Sequence, residues 1–186
     1  GEVLRVSPQG EFDVVAQTHG WPNGLKIHRD GTLYVVDYKK GILRVDPRSG
    51  AVETLIDHRW SESFRGCNDM HFASNGDLYF TDQGQSGMHD PSGRVYRFTT
   101  AGRLERLIDN GPSPNGLVLS PDERVLYVAM TRANAVWRVP LLPDGSTTKV
   151  SIYIQLSGGH GGPDGLAMAA DGGLLVCHAG LGSVWH

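Results

Sequence analysis

Pro22-Asn23-Gly24-Leu25, Cys67-Asn68-Asp69-Met70, Pro114-Asn115-Gly116-Leu117 and Pro163-Asp164-Gly165-Leu166 are four versions of one tetrapeptide. Their second residues fall 45, 47 and 49 positions apart. Recurrence near that length marks a repeat architecture, in which one supersecondary unit is copied and stacked. The second place always carries Asn or Asp, so an oxygen-bearing side chain recurs in register.

Each unit continues in the same way. A short apolar stretch follows the marker: Leu25-Lys26-Ile27, Met70-His71-Phe72, Leu117-Val118-Leu119 and Leu166-Ala167-Met168. A turn falls seven residues past it, at Asp30-Gly31, Asn75-Gly76, Pro121-Asp122 and Asp171-Gly172. Asn-Gly and Asp-Gly suit hairpins because both residues tolerate positive φ. A β-rich run comes next, over 33–37, 78–82, 126–130 and 174–178. An alternating third strand follows at 42–45, 95–98, 136–139 and 184–185, and a fourth at 52–56, 104–108 and 151–156. Four antiparallel strands in each unit describe a β-propeller blade. No window holds apolar residues at helical spacing for ten positions.

The expected fold is therefore all-β, a single propeller domain over 1–186 of about four blades. The blades are expected at 1–15 (partial), 21–57, 66–109, 113–157 and 162–186 (partial). That makes seventeen strands, which is not a whole number of blades. An open propeller bares edge strands, a liability for a soluble protein. The pattern thus predicts part of a longer propeller, or one that closes by pairing with something else, with self-association through blade edges where these stay uncovered. A compact four-blade closure with one strand to spare is the less favoured alternative.

Composition excludes several classes. The net charge is −3 and the 17 Lys and Arg are scattered, with only Lys39 and Lys40 adjacent, so nucleic acid is not an expected partner. The longest apolar runs are about five residues, too short to span a bilayer. No positively charged, apolar leader is visible, although Gly1 falls in mid-pattern. Cys67 and Cys177 form no CxxC and read as thiols, pointing to a reducing, cytoplasmic compartment.

In a propeller the first strand of each blade lines the central axis. Asn23, Asn68, Asn115 and Asp164 begin those strands, so their oxygens are expected to converge at one end of the channel. Amide and carboxylate oxygens suit a hard cation. Asn and Asp before Gly are equally the default residues of left-handed turns. The pattern alone leaves both readings open.

The Asn68-Asp69 after Arg65-Gly66-Cys67, the Pro114-Asn115-Gly116-Leu117 followed by Ser120-Pro121-Asp122, and the Pro163-Asp164-Gly165-Leu166 resemble the SMP-30/gluconolactonase/LRE-like family. The run Gly76 to Asp82 is similar to bacterial gluconolactonase-like members. The resemblance implies a propeller of the six-bladed type with a divalent cation in its channel, and hydrolysis of a small-molecule sugar lactone. It implies Asn115 and Asp164 as metal ligands, Asn68 as a further Asn at the metal and in the substrate site, and Asp69 as a substrate contact. Asp164 is also implied as the catalytic base. Ca²⁺ is the preferred ion, with Mg²⁺, Mn²⁺ and Zn²⁺ as alternatives. A third protein ligand, a Glu in a Glu-Gly-Pro-type motif of the first blade, has no match in this chain. Two other functions stand beside the lactonase: a non-catalytic binding propeller, and a strictosidine-synthase-like propeller sharing the Pro-Asn-Gly-Leu strand.

Other residues carry weaker signals. His160, in Ser157-Gly-Gly-His-Gly-Gly162, precedes the Asp164 strand, and its glycines allow either close approach to a substrate or a plain connector. His89 reads as a solvated loop residue. His178 aligns with Asp37 and Asp82 and is expected to serve a turn. Trp21, Trp60, Trp137 and Trp185 read most simply as blade-packing aromatics, with Trp21 or Trp60 in connections over the channel as the alternative. No His pair has helical zinc spacing and no Gly-x-Ser-x-Gly elbow occurs.

Overall fold

A computed structural model describes residues 1–186, which divide into two compact units, Gly1–Asn68 and Asp69–His186. There is no α-helix, and no helix long and apolar enough to cross a membrane. Nineteen strands account for the regular structure.

In the first unit, β1 (Glu2–Val6) and β2 (Phe12–Gln17) form an antiparallel pair. Next, β3 (Pro22–Ile27), β4 (Leu33–Asp37), β5 (Gly41–Val45) and β6 (Val52–Ile56) form a four-stranded sheet in chain order. A small hairpin follows, β7 (His58–Arg59) with β8 (Glu62–Ser63), and it is what the repeat pattern did not foresee. The core of this unit is Val3, Ala16, Leu33, Val35, Leu43 and Val45. Alternation accounts for it: Leu33, Val35, Leu43 and Val45 all lie on one face of the β4–β5 pair.

A second four-stranded sheet contains β9 (Cys67–Phe72), β10 (Leu78–Asp82), β11 (Gly93–Phe98) and β12 (Leu104–Gly111). The third contains β13 (Pro114–Leu119), β14 (Val125–Met130), β15 (Ala135–Pro140) and β16 (Ser151–Gln155). The last holds three strands, β17 (Pro163–Met168), β18 (Leu174–His178) and β19 (Ser183–Trp185). Tyr79, Val95 and Ile108 of the β9–β12 sheet pack on Leu117, Leu119, Leu126, Val128 and Val139 of the β13–β16 sheet. Val136 and Leu156 pack in turn on Val176 of β18. Stacked four-stranded meanders joined in this way are propeller blades.

The turns lie where the pattern puts them. Gly31, Gly76 and Gly172 take φ of 87°, 91° and 87°. In the third sheet the same slot is held by Glu123 at φ 55°, a left-handed residue without glycine's freedom. Its carboxylate accepts the Ser74 N–H at 2.7 Å and the Ser74 hydroxyl at 2.8 Å, tying the turn to the sheet before it.

Two expectations change. Of the four tryptophans only Trp137 packs on a core; Trp21 is 59% and Trp60 80% exposed. Their rings instead carry cations, Lys39 Nζ at 3.9 Å over Trp21 and the Arg59 guanidinium at 3.8 Å over Trp60. The aligned strand ends also do different work. Asp37 does serve a turn, accepting the amides of Trp21, Lys39 and Lys40 at 2.9–3.1 Å. His178 is buried and bonds through Nε2 to Asn134 Oδ1 at 2.8 Å. The Asn134 amide nitrogen donates to Leu156 O and Gly158 O, which turns its oxygen toward His178 and places the ring proton on Nε2.

Candidate metal centre

Three of the marker tetrapeptides, those of β3, β13 and β17, turn out to be β-bulges. Pro114 pairs with Met130 and Leu117 with Val128, so three steps on β13 face two on β14. The same offset separates Pro163/Leu166 from His178/Val176, and Pro22/Leu25 from Asp37/Val35. One extra residue is therefore lodged in each first strand at Asn23, Asn115 and Asp164. A bulge re-aims the side chain it carries and recurs beside functional sites. None of Asn23, Asn68, Asn115, Asp164, Gly116 or Gly165 has positive φ, so these Asn-Gly and Asp-Gly pairs are not left-handed turns.

Gly116 is required for another reason. A Cβ on it would collide with the Asp164 carbonyl oxygen and stand 2.8 Å from the Gly165 Cα. The bulges of β13 and β17 thus lie backbone against backbone, and the structure brings Asn115 and Asp164 together. Asn115 is half-buried and Asp164 exposed, and neither side chain takes part in a hydrogen bond within the chain. Two oxygen donors without internal partners, carried on adjacent bulged strands, suit a hard cation.

The remaining candidates are distributed as follows. Asp69, half-buried on β9, donates its N–H to the Thr81 hydroxyl at 3.1 Å, and its Oδ1 accepts the Met70 N–H at 2.8 Å. The Thr81 hydroxyl in turn donates to the Asn115 carbonyl at 2.7 Å, so Asp69 and Asn115 are linked through one side chain. Asn68 closes the first unit and is 7% exposed on β9. His160 lies exposed in the connection from β16 to β17, whose Gly161 abuts Gly180. Its ring forms no hydrogen bond to the site residues. His89 is an exposed loop residue.

No three His, Cys, Asp or Glu side chains gather to hold a metal ion. A cation at the markers would therefore rely on amide oxygens beside the single Asp164 carboxylate, which fits a hard ion and not a His- or Cys-rich zinc centre. Cys67 and Cys177 form no disulfide. A recess of about 340 Å³ borders Asp164 and is lined also by Cys177, His178 and Ser183. A second cavity of about 550 Å³ opens at the turn ends of the strands, beside Asn75, Tyr79, Arg97 and Glu123. Its charges are already paired: Arg97 with Asp77 and Glu105, Glu123 with Ser74.

The family model for the SMP-30/Gluconolactonase/LRE-like region matches residues 1–186. The chain belongs to that family. Among its members, lactonase drp35 of Staphylococcus aureus (strain MRSA252) is 34% identical over 198 aligned positions, 99% of this chain and 59% of that protein. The chain thus spans about three fifths of this SMP-30/gluconolactonase/LRE-like relative. Among solved structures, the gluconolactonase XC5397 of Xanthomonas campestris superposes with a TM-score of 0.82 at 25% identity, over 95% of this chain and 62% of that one. Regucalcin of Agrobacterium tumefaciens, a calcium-binding protein, shares the fold with a TM-score of 0.79 at 24% identity, over 98% and 62%.

Sequence reasoning missed Thr81 and Thr131, whose hydroxyls donate to the Asn115 and Pro163 carbonyls at 2.7 and 2.8 Å. Their positions in the repeat are not equivalent, so the echo gives no signal for them.

Proposed function

We propose that this chain supplies the cation-binding portion of a sugar-lactone hydrolase. The observation that carries the proposal is the pair of equivalent, closely approaching bulges that carry Asn115 and Asp164, whose side-chain oxygens have no partner in the chain. The likeness to lactonase drp35 and to the gluconolactonase XC5397 supports the reaction class.

Asn115 and Asp164 are the ligands, with Asn68 as a further oxygen donor. A divalent cation, Ca²⁺ before Mg²⁺, Mn²⁺ or Zn²⁺, would polarise the lactone carbonyl and acidify water. The all-oxygen donor set and the calcium-binding regucalcin favour Ca²⁺. Asp164 is exposed and its side chain makes no competing hydrogen bond, which supports assigning it as acceptor of the proton from the attacking water. Asp69, whose backbone is pinned by Thr81, and His160, on its glycine-flanked loop, are assigned to the substrate.

The test is hydrolysis of gluconolactone together with the melting temperature, each with Ca²⁺ and with chelator. Calcium-dependent turnover and a calcium-dependent rise in melting temperature are expected. A folded sample showing neither would overturn the lactonase reading and leave a binding propeller.

A further inference from the structure

We propose that Thr81 and Thr131 are the positioning residues of this centre: their hydroxyls lock the bulged backbone of each ligand strand onto the sheet before it. The inference rests on the reading of Asn115 and Asp164 as cation ligands.

A bulge leaves its extra residue without a regular ladder partner. At β13 the missing partner comes from Thr81, fully buried on β10, which donates to the Asn115 carbonyl at 2.7 Å. The same oxygen accepts the Asp69 N–H at 3.1 Å. A hydroxyl has one proton to give, and here both its donating and accepting capacity are used across two neighbouring first strands. Fixing the Asn115 peptide fixes the direction of its Cα–Cβ bond, and so where the amide oxygen can reach.

Thr131, just after β14, holds β17 one residue earlier, at the peptide that leads into Asp164. Its hydroxyl donates to the Pro163 carbonyl at 2.8 Å, while its own N–H donates to Ser113 O at 3.0 Å. One residue thereby holds the starts of β13 and β17 together. Gly162 has no side chain for the same reason, since a Cβ there would collide with the Thr131 carbonyl. The two devices converged from different places: Thr81 aligns with Ala129 of β14, and Thr131 lies two residues farther on. In the first sheet the position of Thr81 is taken by Val36, which has no hydroxyl, so the device belongs to Asn115 and Asp164.

Groups that orient metal ligands typically contribute about 10- to 100-fold in metal affinity. The experiment is calorimetric titration of Ca²⁺ into the wild-type chain, Thr81→Val, Thr81→Ser and Thr131→Val, with circular dichroism to confirm folding. Thr81→Val and Thr131→Val are expected to weaken Ca²⁺ by about 10- to 100-fold, while Thr81→Ser, which keeps the hydroxyl, stays close to wild type. Folded valine variants that bind Ca²⁺ as tightly as a calcium-binding wild type would overturn the positioning role and leave the ligand assignment standing. Should Thr81→Val not fold, Thr131→Val decides by the same criterion, because its side chain is only half-buried. A wild type that binds no Ca²⁺ overturns the ligand reading itself, and the positioning role with it.

Discussion

Gly116 faces the carbonyl oxygen of Asp164 so closely that no side chain fits between β13 and β17. The neighbouring glycine of the next marker, Gly165, has nothing within 4 Å of the place its Cβ would take. The pair makes a controlled comparison. Gly116→Ala is expected to cost about 1–3 kcal/mol by overpacking and to weaken Ca²⁺ binding by parting the two ligand strands. Gly165→Ala should leave both nearly unchanged. Calorimetric melting of the two variants checks this, and equal behaviour would mean that β13 and β17 are not in contact at the bulge.

Asp164 supplies the only carboxylate of the Asn115–Asp164 pair and bonds to nothing in the chain. Its removal should therefore spare the fold and strike the chemistry. Asp164→Asn keeps the shape and one oxygen but loses the charge and the base. Lactone turnover is expected to fall by about 10²- to 10⁴-fold, with weaker Ca²⁺ binding and an unchanged melting temperature. Undiminished turnover would remove Asp164 from the mechanism.

The strands, their order and the marker positions were legible because they are local signals: alternation over five residues, and glycine turns at fixed offsets. The bulges were not, since a bulge is a mismatch between two strands and only the partner's register reveals it. The same tetrapeptide therefore read as either a turn or a ligand until Pro114 and Leu117 could be set against Met130 and Val128. Thr81 and Thr131 escaped because a repeat search compares equivalent positions, and these two reach the same job from different ones. His178 shows the converse: it aligns with Asp37, yet its partner is Asn134, 44 residues away.

Glu123 stands where the other sheets place glycine, and its left-handed backbone is held by two bonds to Ser74. Glu123→Ala removes the bonds and keeps the strain; Glu123→Gly removes the bonds and relieves it. Glycine's greater unfolded-state entropy offsets part of that relief. The glycine variant is expected to be more stable than the alanine variant by about 0.5–1 kcal/mol, as read from urea denaturation. An alanine variant at least as stable would show that this turn carries no left-handed strain.

Asp77 and Arg97 form a buried ion pair, at 2.6 Å with side chains 3% and 13% exposed. Burial pushes the Asp77 carboxyl up, but the Thr100 amide, the Arg97 guanidinium and the Asn75 amide outweigh it and hold the group below the usual carboxylate range. A carboxylate depressed in the folded state stabilises fully above its unfolded pKa of about 3.9, and that contribution fades as pH falls through the lower folded value. Asp77→Asn leaves Arg97 with the Glu105 carboxylate at 3.2 Å and the Asp144 carbonyl at 3.0 Å. Breaking a buried pair in this way costs about 3–5 kcal/mol, and the remaining partners place the expected loss at the lower end. The gap in stability between wild type and Asp77→Asn should be widest at neutral pH and should narrow below about pH 4. Denaturant melts at a series of pH values measure it; a gap that stays constant down to pH about 2 would show that Asp77 is not held as the buried anion.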